Sequence, residues 1–285
     1  MNIITHRGLN ASKDNYFVES SLEAFTDQLN KGFGLEFDIQ ITRDNGVVVI
    51  HDSDLKRISD GKDNRKISNI SIDEILKMNF NGCHLTSFDQ LLYLINKKQT
   101  DGAISAIHLK SSIQNKKQID IILPYFRKIN TDKFIIFDVK IETAKYLKEK
   151  NKKLHLAPSV AHPHDIKRYN NFVGGTLMQI ETALKNMDLF DWVWLDEWDK
   201  INKNGNIKKF YTKELFKKIR AKGLKIGLIT PELHSSSPSL LGSEKHQDAD
   251  DKKILFDRIR EIIKLKPDII CTDYPNEIRE MTKKI

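Results

Sequence analysis

Eight short apolar runs rich in β-branched residues alternate with amphipathic stretches along the whole chain, and this alternation restricts the fold most. The runs are 2–5, 34–41, 103–109, 134–139, 154–160, 192–195, 225–229 and 268–271. Helices are predicted between them over 22–31, 88–96, 119–129, 141–149, 212–222 and 252–265. Strands that alternate with helices predict an α/β fold, and eight such repeats predict a single (β/α)8 TIM barrel. A doubly wound sheet is the alternative, but no glycine-rich dinucleotide turn follows the first run.

The composition describes a charged, basic chain. It has 285 residues, of which 30% are charged, and its net charge is +8. A basic surface favours anionic partners, but the lysines are spread along the chain, so no nucleic-acid partner is expected. No run approaches the ~18 apolar residues of a membrane span, so no stable membrane insertion is expected. The chain contains no stretch with the composition of a linker, which predicts one domain over 1–285. It shows no signal-peptide pattern, which predicts a cytoplasmic location. The oligomeric state stays open.

Polar side chains stand where the first three predicted strands end: His6, Glu36, Asp38, His51 (after a companion strand at 47–50), His108 and Lys110. In a barrel the carboxyl ends of the strands carry the chemistry. A lone histidine there is often only a cap, but Glu36 and Asp38 lie two apart in an otherwise apolar strand and share one face. Burying two adjacent carboxylates is costly without a cation, which predicts a divalent metal site.

Four motifs keep a characteristic order along the chain. They are His6-Arg7-Gly8, then Glu36 with Asp38, then His51-Asp52 followed by Leu55 and Arg57, and finally Thr272-Asp273-Tyr274-Pro275. With the weaker match Val18-Glu19-Ser20-Ser21, this set resembles the glycerophosphodiester phosphodiesterase family of the phosphatidylinositol-phospholipase-C-like superfamily. The resemblance is strong over roughly the first sixty residues and the last strand. It implies a barrel that hydrolyses a glycerophosphodiester or a related small anionic phosphodiester with the help of a metal ion.

The resemblance also implies roles for individual residues. One divalent metal ion would be held by Glu36, Asp38 and His108; the substrate phosphate would be bound by Arg7 and Lys110; acid/base catalysis would be carried out by His6 and His51. Which histidine is the acid and which the base stays open. Asp52 either orients a catalytic group or caps the strand end.

One position departs from the family pattern. His108 stands where the family has glutamate, and imidazole is a softer ligand that removes one negative charge. The expected ion is therefore Mg²⁺, Ca²⁺ or Mn²⁺, with Zn²⁺ or Co²⁺ added because of His108. Two alternatives to the hydrolase stay open. One is a related enzyme, a sphingomyelinase-D-like lyase that releases a cyclic phosphate; the other, which His108 suggests, is a non-catalytic barrel that binds a phosphorylated ligand.

Two further segments allow two interpretations each. The tryptophans of 192–198 either stack on a cationic headgroup or sugar or pack in the core. The polar segment 231–251 is either a mobile lid or a surface loop.

Overall fold

A computed structural model describes residues 1–200, 205, 207–236 and 246–284. Within them the chain forms two compact units, one of Ile4–Ile136 and one of Met1–Ile3 with Phe137–Ile285. The single domain over 1–285 stays a prediction. No helix in the described ranges combines the length and the apolar character that crossing a bilayer requires.

The unit Ile4–Ile136 is built on parallel strands. Its strands are β1 (Asn2–His6), β2 (Gly34–Ile41), β3 (Val47–Val49), β4 (Thr86–Ser87), β5 (Ser105–His108) and β6 (Phe134–Phe137). Its helices are α1 (Leu22–Asn30), α2 (Ile72–Leu76), α3 (Phe88–Lys98) and α4 (Lys116–Lys128). Strand β2 lies between β1 and β5, parallel to both, while β3 pairs with β2 in the antiparallel sense. The register sets His6 opposite Glu36 and Asp38 opposite His108.

Strand β2 is the central element of this unit. All of its residues except Ile41 are buried, as expected for a parallel strand covered on both sides. The strand begins at Gly34, where an added Cβ would lie 2.0 Å from the carbonyl oxygen of Ile104. Only glycine allows this close approach of two backbones, so the start of β2 is restricted by sterics. The segment that follows β3 packs on its own apolar cluster, which includes Leu55, Ile67 and Ile75.

The second unit repeats the same alternation. Its strands are β7 (Ser159–Ala161), β8 (Leu177–Met178), β9 (Trp192–Asp196), β10 (Lys225–Ile229) and β11 (Ile269–Thr272). Its helices are α5 (Ile141–Lys150), α6 (Pro163–Tyr169), α7 (Ile180–Lys185), α8 (Lys213–Arg220), α9 (Leu233–Ser236), α10 (Lys252–Lys264) and α11 (Pro275–Thr282). The strands run parallel in the order β11-β10-β9-β7-β8. Helices α8 and α10 bury apolar residues against β9 and β10.

The predicted strand at 154–160 is shorter than expected, because regular pairing begins only at Ser159. Leu154 and Leu156 are buried, and the carbonyl of Leu156 accepts from the backbone of Asp191, so the segment still runs beside β9. Pro158 has no N–H to give to a ladder, which explains why regular pairing starts after it.

The tryptophans of 192–198 pack against other side chains. Trp194 is 2% exposed and stacks on Phe137 with ring centroids 4.1 Å apart. Trp198 lies between Tyr169 at 4.8 Å and His234 at 4.7 Å. Trp198 therefore packs against two aromatic side chains of the same unit, which supports core packing over stacking on a ligand.

The predicted lid at 231–251 is described only in part. Residues 237–245 lie outside the described residues. On either side of them, His234 and His246 are buried, at 8% and 0% exposure. The described parts of this segment thus belong to the packed unit.

Glu197, directly after β9, is a buried carboxylate with several partners. It accepts from the backbone N–H groups of Phe210 (2.8 Å) and Tyr211 (3.2 Å), and its Oε1 lies 2.7 Å from Arg258 Nη2. Burial raises the pKa of Glu197, but His246 and Arg258 outweigh it and lower the pKa to about 2. The folded state therefore favours the ionised form of this group.

Glu197→Gln is expected to lower the free energy of unfolding by about 3 kcal/mol near neutral pH, because Arg258 loses its buried partner. The pKa of Glu197 is lower in the folded than in the unfolded protein. The contribution of Glu197 to the free energy of unfolding is therefore fully present above pH 4.5, the pKa of the group in the unfolded protein. It is lost as the pH falls toward about 2, the pKa in the folded protein. Urea unfolding of both proteins at several pH values measures this difference.

Glu261→Gln is the matched control, because Glu261 also pairs with Arg258, at 3.0 Å, but is 69% exposed. An exposed pair of this kind contributes at most about 1 kcal/mol. Equal losses in the two variants, or a loss in Glu197→Gln that does not shrink in acid, would contradict the prediction.

Candidate active site

Three parallel strands bring the predicted metal ligands together. Glu36 and Asp38 lie on one side of β2 because alternate residues of a strand face the same way. They are 3% and 1% exposed. The neighbouring strand β5 ends at His108, opposite Asp38, and β1 ends at His6, opposite Glu36. The register of the sheet therefore determines which of these side chains are neighbours.

The donor atoms of Glu36, Asp38 and His108 fit a divalent cation. One such atom from each residue lies within 4.8 Å of the other two. Asp38 Oδ1 lies 2.7 Å from His108 Nδ1 and 3.3 Å from Lys110 Nζ. Its Oδ2 is buried and has no hydrogen-bond partner among the described residues. Two converging carboxylates with an imidazole form a donor set that suits Mn²⁺ or Zn²⁺ as well as Mg²⁺.

The two carboxyl groups differ in their titration. Burial, followed by the charge of Asp38, raises the pKa of Glu36. Burial also acts on Asp38, but Lys110 and the nearby histidines outweigh it and lower the pKa of Asp38 well below its ordinary value. The arrangement thus holds one strongly acidic carboxyl next to one that binds a proton readily when no cation neutralises the pair.

Arg7 occupies a tight turn directly after β1. Its φ is +52° and that of Gly8 is +74°, and the N–H of Arg7 donates to the backbone oxygen of Glu36 at 3.0 Å. An added Cβ on Gly8 would lie 3.0 Å from the ring of Phe25. The positive φ and this close contact both favour glycine at the second position of the turn. The turn places the Arg7 guanidinium Nε 3.6 Å from Asp38 Oδ2.

His51 follows β3 and is buried, at 5% exposure. Its Nδ1 lies 2.6 Å from Asp52 Oδ1. Burial and the positive charge of Arg7 lower the pKa of His51 to about 3. Since an ionised carboxylate can only accept, Nδ1 carries the proton and Nε2 remains an acceptor. The contact with Asp52 therefore orients the His51 ring.

All seven predicted site residues lie in the unit Ile4–Ile136. The structure brings Glu36, Asp38 and His108 together and sets Arg7 and Lys110 against Asp38. Glu19 and Arg57 had no predicted role, although both stand in the motifs. Arg57 bonds to both Asp52 and Glu19. In the sequence, only their opposite charges within the motifs indicated that Glu19 and Arg57 could pair.

Comparisons with known proteins identify the family. The model of the Glycerophosphoryl diester phosphodiesterase family matches residues 6–277. A search of curated proteins found no match. Among solved structures, the chain is similar to a glycerophosphodiester phosphodiesterase from Thermotoga maritima, with 20% identity, a TM-score of 0.63 and coverage of 99% of this chain and 97% of that one.

Two other solved structures are similar over nearly the whole chain. One is a glycerophosphoryl diester phosphodiesterase from Parabacteroides distasonis, with 17% identity, a TM-score of 0.64 and coverage of 99% of this chain and 86% of that one. The other is a phosphodiesterase from Oleispira antarctica in complex with its product sn-glycerol-3-phosphate, with 13% identity, a TM-score of 0.65 and coverage of 99% and 97%.

These matches confirm the predicted fold class, the α/β (β/α)8 TIM barrel of the family. They also confirm the resemblance found in the motifs, because the matched region begins at His6 and ends two residues beyond Pro275. The chain is therefore a phosphoric diester hydrolase that belongs to the Glycerophosphoryl diester phosphodiesterase family.

Proposed function

We propose that the chain is a metal-dependent glycerophosphodiester phosphodiesterase that cleaves a small anionic phosphodiester by histidine acid/base catalysis. The observation that carries the proposal is the convergence of Glu36, Asp38 and His108 donor atoms within 4.8 Å in a buried position. The product sn-glycerol-3-phosphate in the Oleispira antarctica structure supports a glycerol phosphodiester as the substrate class.

Glu36, Asp38 and His108 would hold one divalent metal ion, either Mg²⁺, Ca²⁺ or Mn²⁺, or Zn²⁺ or Co²⁺ because of the imidazole. When bound, such an ion stabilises the negative charge of a phosphoryl group during displacement. Arg7 and Lys110 each lie beside Asp38, at 3.6 and 3.3 Å, and would bind the phosphate oxygens. Their fixed positive charges stabilise the phosphate most where its charge increases, in the transition state.

We assign the base to His51 and the acid to His6. The contact of His51 Nδ1 with Asp52 supports this choice, because an imidazole held in this tautomer can take a proton at Nε2. In the first step a neighbouring substrate hydroxyl loses its proton to His51 and forms a bond to phosphorus. The alcohol then leaves with a proton from His6. In the second step water opens the cyclic phosphate, and the two histidines exchange roles.

A ³¹P NMR assay of glycerophosphocholine hydrolysis with each of the five divalent ions tests the proposal. Glycerol phosphate and free choline are the expected products. A cyclic phosphate that persists would favour the sphingomyelinase-D-like lyase instead. Saturable binding of the diester with no turnover under any ion would favour the non-catalytic barrel.

His108→Glu is expected to change the metal preference. The substitution adds a hard oxygen ligand and one negative charge, so the ratio of Mg²⁺- or Ca²⁺-supported to Mn²⁺- or Zn²⁺-supported kcat should rise by roughly tenfold. Initial rates across a metal series measure this ratio. His108→Gln, which adds no charge, is the control and should lose rate with every ion. An unchanged metal profile in both variants would show that His108 is not a ligand.

The expected partner is thus the small anionic phosphodiester itself, without nucleic acid and without stable membrane insertion. We propose a cytoplasmic location, which the two buried thiols, Cys83 and Cys271, support because extracellular proteins favour disulfides.

A further inference from the structure

Six side chains in the unit Ile4–Ile136, the His51 imidazole followed by five groups of alternating charge, form a line of contacts that we call the charge chain. It runs from His51 Nδ1 to Asp52 Oδ1 (2.6 Å), from Asp52 Oδ2 to Arg57 Nε (2.7 Å), from Arg57 Nη2 to Glu19 Oε1 (2.6 Å), from Glu19 Oε1 to Arg7 Nη1 (3.3 Å) and from Arg7 Nε to Asp38 Oδ2 (3.6 Å). Its two ends are the proposed base and a proposed metal ligand.

Arg57 is the link on which the charge chain depends. Its Nε donates to Asp52, while Nη1 and Nη2 donate to the two oxygens of Glu19 at 2.9 and 2.6 Å. Only a planar guanidinium can serve two carboxylates in this way, since an ammonium is a single point of charge. Arg57 therefore determines the orientation of both carboxylates at once.

The two carboxylates come from different parts of the chain. Glu19 precedes helix α1, and Asp52 follows strand β3. Arg57 neutralises both, and without it two negative groups would face each other across the space its guanidinium fills. The side chain of Arg57 is 39% exposed, whereas those of Glu19 and Asp52 are 12% and 20% exposed. The bidentate contact to Glu19 and the bond to Asp52 hold both carboxylates in fixed positions.

We propose that Arg57, acting through Asp52 and Glu19, is a positioning residue that orients the base and the phosphate-binding arginine together. Through Asp52 it holds the His51 ring with Nδ1 protonated and Nε2 available. Through Glu19 it holds the Arg7 guanidinium beside Asp38. The inference rests on the proposed roles of His51 and Arg7 and adds a residue whose contacts are with Asp52 and Glu19 rather than with the proposed metal ligands.

Arg57→Gln tests the proposal, with steady-state kinetics and ¹⁵N NMR of the His51 ring as the two readouts. We expect kcat to fall by about 10- to 100-fold, as is typical when a partner that orients a site residue is removed, and KM to rise by a smaller factor. The ring nitrogen shifts of His51 should move from the Nδ1-protonated tautomer to a mixture of both. The melting temperature should fall by only a few degrees, and the kinetics are measured well below it.

Two further variants keep the result interpretable. Arg65→Gln is the matched control, because Arg65 lies in the same segment, is 46% exposed and pairs with Asp63 at 2.7 Å and with Glu74, away from His51. It should leave kcat and the His51 spectrum unchanged. Arg57→Lys keeps the positive charge but loses the planar guanidinium that donates to both carboxylates, so an intermediate loss of kcat is expected. It also carries the test if Arg57→Gln does not fold.

Two outcomes would overturn the proposal. One is a kcat within about twofold of wild type in Arg57→Gln. The other is a His51 spectrum that stays in the wild-type tautomer, because the effect would then not pass through Asp52. Failure of the proposed function is a separate result: wild-type protein would show no diester cleavage with any ion, and the NMR readout would still decide whether Arg57 orients His51.

Discussion

Replacing His51 with alanine is expected to lower kcat/KM for a glycerophosphodiester by about 10³-fold. The variant removes the proposed base, the group that would take the proton from the attacking hydroxyl. Asp52 keeps its second partner, Arg57, at 2.7 Å, so the loop should retain its conformation. His6→Ala should cause a similar loss, because the variant lacks the proposed acid that would protonate the leaving alcohol.

Initial rates at saturating metal measure this effect, with circular dichroism and thermal unfolding to show that the variants are folded. His84→Ala is the control, since His84 is a 44% exposed histidine in the same unit that pairs with Glu23. It should keep the wild-type rate. The losses of kcat/KM in His6→Ala and His51→Ala should also be far from additive when the two substitutions are combined, because the two histidines are proposed to act in one proton relay. Wild-type activity in either single variant would contradict the assignment.

Removal of divalent metal is expected to reduce turnover to background, at least about 10³-fold below the metal-loaded rate. The reason lies in the buried pair Glu36 and Asp38, which without a cation carry a proton or repel each other. Chelation followed by dialysis prepares the metal-free protein, and added metal should restore the rate. The melting temperature should also rise on metal addition, because an ion held by the proposed site would bind the folded state and not the unfolded one.

Asp38→Asn separates metal binding from general effects of the chelator. The variant keeps the size of the side chain but removes one charge from the ligand set, so neither the rate nor the melting temperature should respond to added metal. Glu181→Gln is a suitable control on an exposed acid, because Glu181 pairs only with Lys218 in its described contacts. Full activity in the dialysed wild-type protein with chelator present would refute metal dependence.

Much of the local structure could be predicted because it depends on side-chain periodicity. Strand β2 was predicted over 34–41 and is observed at Gly34–Ile41, and β10 was predicted over 225–229 and is observed at Lys225–Ile229. The period of two along β2 also predicted that Glu36 and Asp38 share a face. These features are decided by residues next to each other in sequence, so the pattern contains them.

Other features could not be predicted because they depend on contacts between distant residues. His108 meets Asp38, 70 positions earlier in the chain, only because β2 pairs with β5. The bond between Arg57 and Glu19 joins positions 38 residues apart, and no local pattern shows that their side chains meet. Both depend on how separate segments pack.

The sequence by itself determined the alternation of strands and helices, the family motifs and the residue types of the site, including His108 in place of a glutamate. The tertiary structure alone decided how these residues act on one another. The register of β1, β2 and β5 sets His108 opposite Asp38, burial and Arg7 together lower the pKa of His51, and Arg57 joins Asp52 to Glu19. The physical reason is that charge interactions and desolvation depend on distances through space, whereas periodicity depends only on neighbours along the chain.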